Sequence, residues 1–227
     1  MNDQRPDKSQ AGSSGRDTGQ LPKALPGFDH INRYWDTKHD IYAAKILPGE
    51  FYVSLNGELI TTVLGSCVSA CVRDRKTGIG GMNHFMLPDS RKSTTSAAWR
   101  DTPVSSETRY GNVAMERLIN LVLAGGGQRK NLEIKLFGGS KVLNLTTDIG
   151  GNNVAFVKRY LQVEGLAIAA EDVLGYAPRK VQYFPLTGRV RVRKLNTLHN
   201  DTLTRREQEY LDSLAKKKVE GKVDIFK

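Results

Sequence analysis

Residues 64–88 of the chain read LGSCVSACVRDRKTGIGGMNHFMLP, a pattern typical of one β-hairpin. Small, apolar and β-branched side chains over residues 67–72 predict a buried strand. Residues 73–78 are a polar loop that contains a glycine, as hairpin loops often do. Residues 79–87 predict the returning strand, which Pro88 ends. One arm carries a cysteine and the other a histidine, so the hairpin can bring two reactive side chains together.

The register of this predicted hairpin determines whether Cys67 and His84 meet. If Val72 pairs with Ile79, Cys67 lies directly opposite His84, and the two Cβ atoms are roughly 4.5–5.5 Å apart. A slip of one residue would put the two side chains on opposite faces. On one face, the thiol and the imidazole can act as a nucleophile and its base.

The residues before Cys67 fit the same chemistry. Gly65 and Ser66 predict a turn whose backbone N–H groups point at the reacting carbonyl and form an oxyanion hole. The hydroxyl of Thr61, six residues before the cysteine, could orient the imidazole. The reaction class that follows is acyl transfer, in which an amide, ester or thioester carbonyl is attacked and then hydrolysed.

Structural roles compete with this interpretation. A free cysteine is usually a small buried hydrophobe, and a lone strand histidine is usually a hydrogen-bonded structural residue. On spacing alone these structural roles are favoured over catalysis. A metal site built from Cys67, Cys71 and His84 is disfavoured, because Cys-x₃-Cys is not the usual zinc spacing and no second cluster completes it. We therefore predict core packing for Cys71, and neither a metal nor a cofactor.

Several motifs follow one another along residues 47–193 in an order that is more specific than any one of them. They are LGSCV at 64–68, GMNHFMLP at 81–88, RY at 109–110, KLFGGS at 135–140, IGGN at 149–152, RKV at 179–181 and TGR at 187–189. Together they resemble CheD, the chemoreceptor glutamine deamidase family of bacterial chemotaxis. Two departures are a single glycine in residues 172–175, where a Gly-Gly pair is expected, and a long Ser- and Thr-rich segment at 90–107.

The resemblance implies a catalytic triad of cysteine, histidine and threonine. By motif these roles fall on Cys67, His84 and Thr61, with Thr61 chosen over Thr62 because of its distance from the cysteine. The implied reaction converts specific glutamines on receptor cytoplasmic helices to glutamate, and some members also hydrolyse receptor methyl esters. The implied fold is a layered α/β sandwich. The implied partners are receptor helices and, in some bacteria, a CheC-type phosphatase.

The rest of the chain is predicted to surround this site with a mixed sheet and two long helices, an α/β or α+β layered arrangement. Expected strands cover 50–55 and 59–64 (a hairpin through Asn56-Gly57), 132–137, 166–170, 180–186 and 189–194, and Gly138-Gly139 predict a tight turn near the site. Expected helices run over 112–124, from Asn152 or Asn153 to 162, and from Thr204, where Thr204-Arg-Arg-Glu207 has the pattern of a capping box. Divided by composition, the chain has a disordered tail (1–27), an aromatic arm packed on the domain (28–45), a catalytic domain (46–196) and a basic C-terminal helix (197–227).

Composition favours a cytoplasmic protein. The first thirty residues contain no apolar signal core, and no apolar run reaches the roughly 18 residues of a spanning helix. Two cysteines do not make a disulfide framework. We therefore expect a protein that works beside membrane-bound receptor arrays without entering the membrane.

The net charge of +10 is concentrated near the C-terminus, where residues 189–227 carry 11 Lys and Arg against 6 Asp and Glu. Arg189, Arg191 and Arg193 alternate, so in a strand they share one face and could dock an acidic receptor helix. An exposed edge strand kept soluble by charge is an equally good interpretation. A nucleic-acid partner is not expected, because the basic residues come with no recognition motif.

Three functions therefore compete. The first is a receptor glutamine deamidase. The second is a different Cys-His acyl hydrolase such as a peptidase, although papain-like peptidases place the cysteine at a helix N-terminus. The third is a non-catalytic docking or regulatory module of the chemotaxis adaptation system.

Overall fold

The computed structural model describes residues 21–87, 106–143, 148–195 and 201–216. In chain order the elements of these residues are β1 (Asn32–Asp36), β2 (Ile41–Lys45), β3 (Phe51–Ser54), β4 (Leu59–Leu64), β5 (Val68–Asp74), β6 (Gly80–Asn83), α1 (Ser106–Ala124), β7 (Leu132–Gly138), α2 (Ile149–Val163), β8 (Ile168–Val173), β9 (Arg179–Phe184), β10 (Arg189–Lys194) and α3 (Asp201–Lys216).

The strands of the described residues form two five-stranded sheets. Sheet A has the order β1-β2-β4-β9-β10, and sheet B has the order β3-β6-β5-β7-β8. Most neighbours are antiparallel, whereas β2–β4 and β7–β8 are parallel. One apolar core contains residues of both sheets and of the helices, and α1 packs on β3, β5 and β6. The predicted layered α+β arrangement with mixed pairing is confirmed.

The central hairpin forms, but in a register that differs by two residues from the prediction. Val72 pairs with Gly81 instead of Ile79. The Asp74 carboxylate accepts hydrogen bonds from two backbone N–H groups of the loop, and Gly78 adopts a φ of 77°. These contacts tighten the turn and let the first strand run on to Asp74. Because the shift is even, every side chain keeps its predicted face.

The hairpin predicted through Asn56-Gly57 is wrong, because β3 and β4 belong to different sheets. The buried carboxylate of Glu58 holds this corner together. It accepts hydrogen bonds from Tyr52 at 2.7 Å and from Ser54 at 3.1 Å, and Arg33 lies 2.6 Å away in an ion pair. Buried polar groups need partners, so this network turns the chain from one sheet into the other.

The segment predicted as an aromatic arm is part of sheet A. It supplies β1 and β2, and β2 lies parallel to β4 at the centre of the sheet. Phe28 and Ile31 are buried in the common core. The segment therefore extends the domain, and the strand it adds lies beside the strand that carries both candidate threonines.

The expected helices exist with different starts. The first begins at Ser106, ahead of the predicted residue 112, and the third at Asp201, ahead of Thr204. The second is capped by Asp148, whose side chain accepts a hydrogen bond from the backbone N–H of Gly151. The caps predicted at Asn152 or Asn153 are therefore wrong. The predicted tail to residue 20 and the loop at 90–105 lie outside the described residues.

All the later strands form, but their bounds differ: β8 begins two residues later and ends three residues later than predicted, whereas β9 begins one residue earlier and ends two residues earlier. The strand over 189–194 is β10, an edge strand of sheet A, and its three alternating arginines are exposed. At the departure from the family pattern in residues 172–175, Leu174 has a φ of 65°. Glycine adopts that conformation without strain, which explains why a Gly-Gly pair is expected there. No helix of the described residues is long and apolar enough to cross a membrane.

Candidate active site

The loop before β5 places Cys67 in the fully buried centre of the molecule. The carbonyl of Cys67 accepts a hydrogen bond from Gly139 N at 2.7 Å, and Gly65 O accepts one from Ser140 N at 2.7 Å. A Cβ atom at Gly138, where φ is 107°, would lie 2.2 Å from the Cys67 carbonyl. Gly138 and Gly139 at the end of β7 therefore form the tight turn beside the site that the sequence predicts, and only glycine allows this approach.

His84 follows β6 and faces the same buried space. Its Nδ1 lies 2.8 Å from the hydroxyl oxygen of Thr62, and that hydroxyl donates to Ile46 O at 2.8 Å. Because the single hydroxyl proton goes to Ile46 O, Thr62 accepts from Nδ1–H, and the unprotonated nitrogen is Nε2. Within the described part of the chain Nε2 has no hydrogen-bond partner, so it is available as a base.

Cys67 and His84 are brought together as the sequence predicts, although the contact is diagonal. Val68 forms a bridge with Phe85, so Cys67 lies opposite residue 86 and one step diagonally from His84. Diagonal neighbours on one face remain within reach of long side chains. A His84 ring nitrogen and the Cys67 sulfur lie within 4.8 Å of each other.

The prediction that Thr61 contacts the imidazole is wrong. Its hydroxyl donates to Val181 O of the neighbouring strand β9 at 3.0 Å. Successive side chains of a strand point to opposite faces, so only one of two adjacent threonines can face His84, and it is Thr62. Thr61 and Thr62 are both buried and both follow the same apolar run, so the local sequence does not indicate which of them faces His84.

Glu207 of α3 is a residue of the site that sequence reasoning missed. Its Oε1 accepts from Gly65 N at 2.8 Å, and its Oε2 accepts from Ser66 N at 2.8 Å and from Ser66 Oγ at 2.6 Å. Cys67 N lies 3.4 Å from Oε1. The backbone groups predicted to bind an oxyanion therefore converge on a carboxylate, which itself is fully buried.

The helical period contained the signal for Glu207. Sequence reasoning assigned it to a capping box that opened at Thr204, but the helix already starts at Asp201. Glu207 shares one helix face with Leu211 and Leu214, four and seven residues later, and all three are buried. A glutamate inside an apolar stripe indicates a buried partner for its charge.

Asn153 of α2 is a second missed residue, and it holds the cysteine loop from behind. Its side-chain oxygen accepts from Leu87 N at 2.8 Å, and its amide nitrogen donates to Ser66 O at 2.9 Å. Leu87 follows the histidine strand, so one buried side chain ties both arms of the site to α2.

The electrostatics of this arrangement favour neutral reactive groups. Burial raises the pKa of the Cys67 thiol, and the Glu207 charge and hydrogen bond raise it further. Burial lowers the pKa of His84 to about 3. Burial of both groups, together with the Glu207 carboxylate beside the thiol, thus disfavours a thiolate–imidazolium pair. Cys71 is also buried in the core, in agreement with its predicted packing role, and burial raises its thiol pKa as well.

Cys67, His84 and Glu207 also form a set of metal-ligand types. One ligand atom from each lies within 4.8 Å of the others, and zinc accepts all three donors. Both Glu207 oxygens already accept hydrogen bonds from the cysteine loop, so hydrogen bonding accounts for the carboxylate without a metal. That the protein needs no metal remains a prediction.

Known proteins resemble this chain over most of its length. The family described as CheD chemotactic sensory transduction matches residues 86–194. A protein of Halorhodospira halophila named Probable chemoreceptor glutamine deamidase CheD is 56% identical over 206 residues, which cover 91% of this chain and 94% of that protein. A protein of the same name from Hahella chejuensis is 50% identical over 205 residues, which cover 90% of this chain and 95% of that protein.

Proposed function

Because this chain belongs to the CheD family, we propose that it hydrolyses the side-chain amide of specific glutamines on the cytoplasmic helices of chemoreceptors. The observation that carries the proposal is the convergence at Cys67. A His84 ring nitrogen lies within 4.8 Å of the thiol, and the N–H groups of Gly65 and Ser66 bind a glutamate side chain beside it. A glutamate side chain is what glutamine becomes after deamidation.

The first half-reaction forms a thioester. The Cys67 sulfur attacks the carboxamide carbon as His84 Nε2 takes the thiol proton, and a C–S bond forms. The N–H groups of Gly65 and Ser66 stabilise the oxyanion of the tetrahedral intermediate. His84 then passes its proton to the nitrogen, the C–N bond breaks, and ammonia leaves.

The second half-reaction releases glutamate. His84 Nε2 takes a proton from water, and the hydroxide oxygen attacks the thioester carbon. The C–S bond breaks, and the proton on His84 returns to the Cys67 sulfur. Throughout, the Thr62 oxygen accepts from Nδ1–H and keeps Nε2 directed at the reacting atoms. The same thioester would form from a glutamyl methyl ester, with methanol as the leaving group.

Mass spectrometry of receptor cytoplasmic fragments tests the function. We expect the enzyme to convert amide to acid at particular glutamines, Cys67→Ala to leave them unchanged, and the matched variant Cys71→Ala to retain conversion. Chain cleavage would instead support a peptidase, and an unchanged fragment would support a docking module. We further propose that Arg189, Arg191 and Arg193 help to dock the receptor helix, and that a CheC-type phosphatase is a partner.

A further inference from the structure

α3 presents a side chain to the site in the way a substrate helix must. Glu207 projects from the helix into the buried space, and one carboxylate oxygen lies within 4.8 Å of the Cys67 sulfur. Both of its oxygens are bound by the cysteine loop, through Gly65 N, Ser66 N and Ser66 Oγ. A helix-borne glutamate in these contacts has the chemistry of the reaction product, still attached to its helix.

We propose that α3 is an internal product analogue that occupies the binding site of the receptor helix, and that a receptor reaches Cys67 only when α3 has left. This binding site, the seat, is formed by the residues that contact α3: Gly49, Gly65, Ser66 and Tyr110. This inference rests on the proposed function. A carboxylate suits the seat better than a carboxamide, because a carboxylate accepts only and its partners donate. A carboxamide would turn its NH₂ group toward one of those donors. Glutamate also has no leaving group, so α3 blocks the site without being consumed.

The apolar contacts of α3 define the helix that the seat accepts. Leu211 and Leu214 are buried, and Tyr210 hydrogen-bonds to the hydroxyl of Tyr110 on α1. A Cβ atom at Gly49 would lie 2.7 Å from the Tyr210 hydroxyl, so this glycine makes room for the ring. With Glu207, these positions follow the spacing i, i+3, i+4 and i+7 of one helix face.

The substrate helix is therefore expected to carry apolar residues three, four and seven positions after its target glutamine. An aromatic or large aliphatic side chain would replace Tyr210 at the third position, and aliphatic side chains would replace Leu211 and Leu214. The outer face of α3 is exposed, so the seat does not require apolar residues on the outer face of a substrate helix. The seat thus selects an amphipathic helix, which it recognises by contacts with one narrow face.

While α3 occupies the seat, the site is closed to solvent and ionisation of the Cys67 thiol is disfavoured. Cys67 and Glu207 are fully buried and His84 nearly so, and the thiol has a raised pKa for which the neighbouring carboxylate is one cause. α3 itself is held by one narrow face, since Thr202, Arg205, Arg206, Glu209 and Asp212 are exposed. A cleft of about 550 Å³ borders it, lined in part by Leu47, Pro48 and Tyr210. These features describe a helix that can be displaced.

The decisive experiment turns the analogue into a substrate. In the full chain carrying Glu207→Gln, we expect the introduced amide to be converted to acid by its own active site, at a rate independent of protein concentration. Peptide mass spectrometry after increasing times reports this conversion. In the double variant Glu207→Gln/Cys67→Ala the amide should persist. All reactions contain a chelator, which removes any metal held by the three donors.

The same preparation separates the two possible failures. If the Glu207→Gln protein keeps its amide while it deamidates an added receptor fragment, the seat proposal is overturned and the function stands. If it leaves both amides unchanged while the wild-type chain also fails on the fragment, the proposed function fails, and the seat proposal fails with it.

A second pair of variants tests closure without relying on turnover. Glu207→Ala removes the charged hydrogen bonds, whereas Glu209→Ala removes an exposed glutamate from the same helix. We expect Glu207→Ala to raise the rate of Cys67 alkylation about 10- to 100-fold, the shift that loss of charge-assisted hydrogen bonds produces, and Glu209→Ala to leave it unchanged. Equal alkylation rates in the two variants would overturn the proposal.

Discussion

At the scale of single residues, the Thr62 hydroxyl determines which nitrogen of His84 is the base. Replacing Thr62 by Val keeps the shape of the side chain and removes the acceptor for Nδ1–H. We expect kcat to fall roughly 10- to 100-fold, a part of the roughly 10²- to 10⁴-fold that a general base contributes. Steady-state assays on a receptor fragment measure kcat for the variant and the wild-type chain. The matched variant Thr61→Val loses only a bond to Val181 O, so a larger fall in kcat for Thr61→Val would refute the assignment.

The burial of neutral His84 also makes stability depend on pH. Its pKa is lowered from 6.5 to about 3, so below about pH 6.5 the unfolded chain binds the proton and the folded chain resists it. Stability is therefore lost as pH falls from about 6.5 toward 3. Urea unfolding at about pH 7 and about pH 4 should show a smaller loss in His84→Gln than in the wild-type chain. An identical loss in both proteins would show that His84 is not buried and neutral.

The residues of the site differ in how far the sequence could predict them. The pairing of Cys67 with His84 follows from strand parity, which an error of two residues in register does not disturb. The choice between Thr61 and Thr62 depends on how far β4 rotates against the hairpin of another sheet, and neither local pattern nor spacing records that rotation. Glu207 lies 140 residues after Cys67 along the chain, so no local pattern near the cysteine indicates their contact.

At the scale of elements, α2 holds the site through Asn153. The variant Asn153→Ala leaves Leu87 N and Ser66 O buried without their partner, and we expect unfolding free energy to fall by about 1–3 kcal/mol per unsatisfied group. We also expect kcat to fall, because the cysteine loop loses its support. The neighbouring Asn152 is exposed, so Asn152→Ala is the control in urea unfolding and activity assays. Equal effects of both variants would mean that the contacts of Asn153 do not matter.

The sequence predicts most of the helices and strands, but it does not predict two of the connections between them. The pattern of residues 59–64 predicts β4 with its observed bounds, but the Asn56-Gly57 turn before it suggests a hairpin. The buried carboxylate of Glu58 overrides that local signal, since its partners include Arg33 of a distant strand. The tight turn at Asp74 likewise depends on side-chain caps that the loop length alone does not reveal.

At the scale of the whole molecule, the exposed arginines of β10 should steer acidic receptor helices. Steering between exposed charges weakens with salt, because the Debye length falls from about 10 Å at 0.1 M to about 3 Å at 1 M. We expect kcat/KM to fall as salt rises while kcat changes little, and Arg191→Gln/Arg193→Gln to flatten that dependence. The double variant Lys130→Gln/Arg159→Gln removes the same charge from other exposed positions. If both double variants have the same salt profile, the docking face lies elsewhere.

The proposed reaction depends on a thioester between Cys67 and the target side chain, and hydroxylamine tests for this intermediate most directly. Hydroxylamine competes with water for a thioester, so the full enzyme acting on a receptor fragment should convert part of the target glutamine to the hydroxamate, in a share that rises with hydroxylamine concentration. Cys67→Ala should form neither hydroxamate nor glutamate. Mass spectrometry of the fragment distinguishes the two products. Glutamate as the single product at every hydroxylamine concentration, or hydroxamate formed equally by Cys67→Ala, would contradict the acyl-enzyme mechanism.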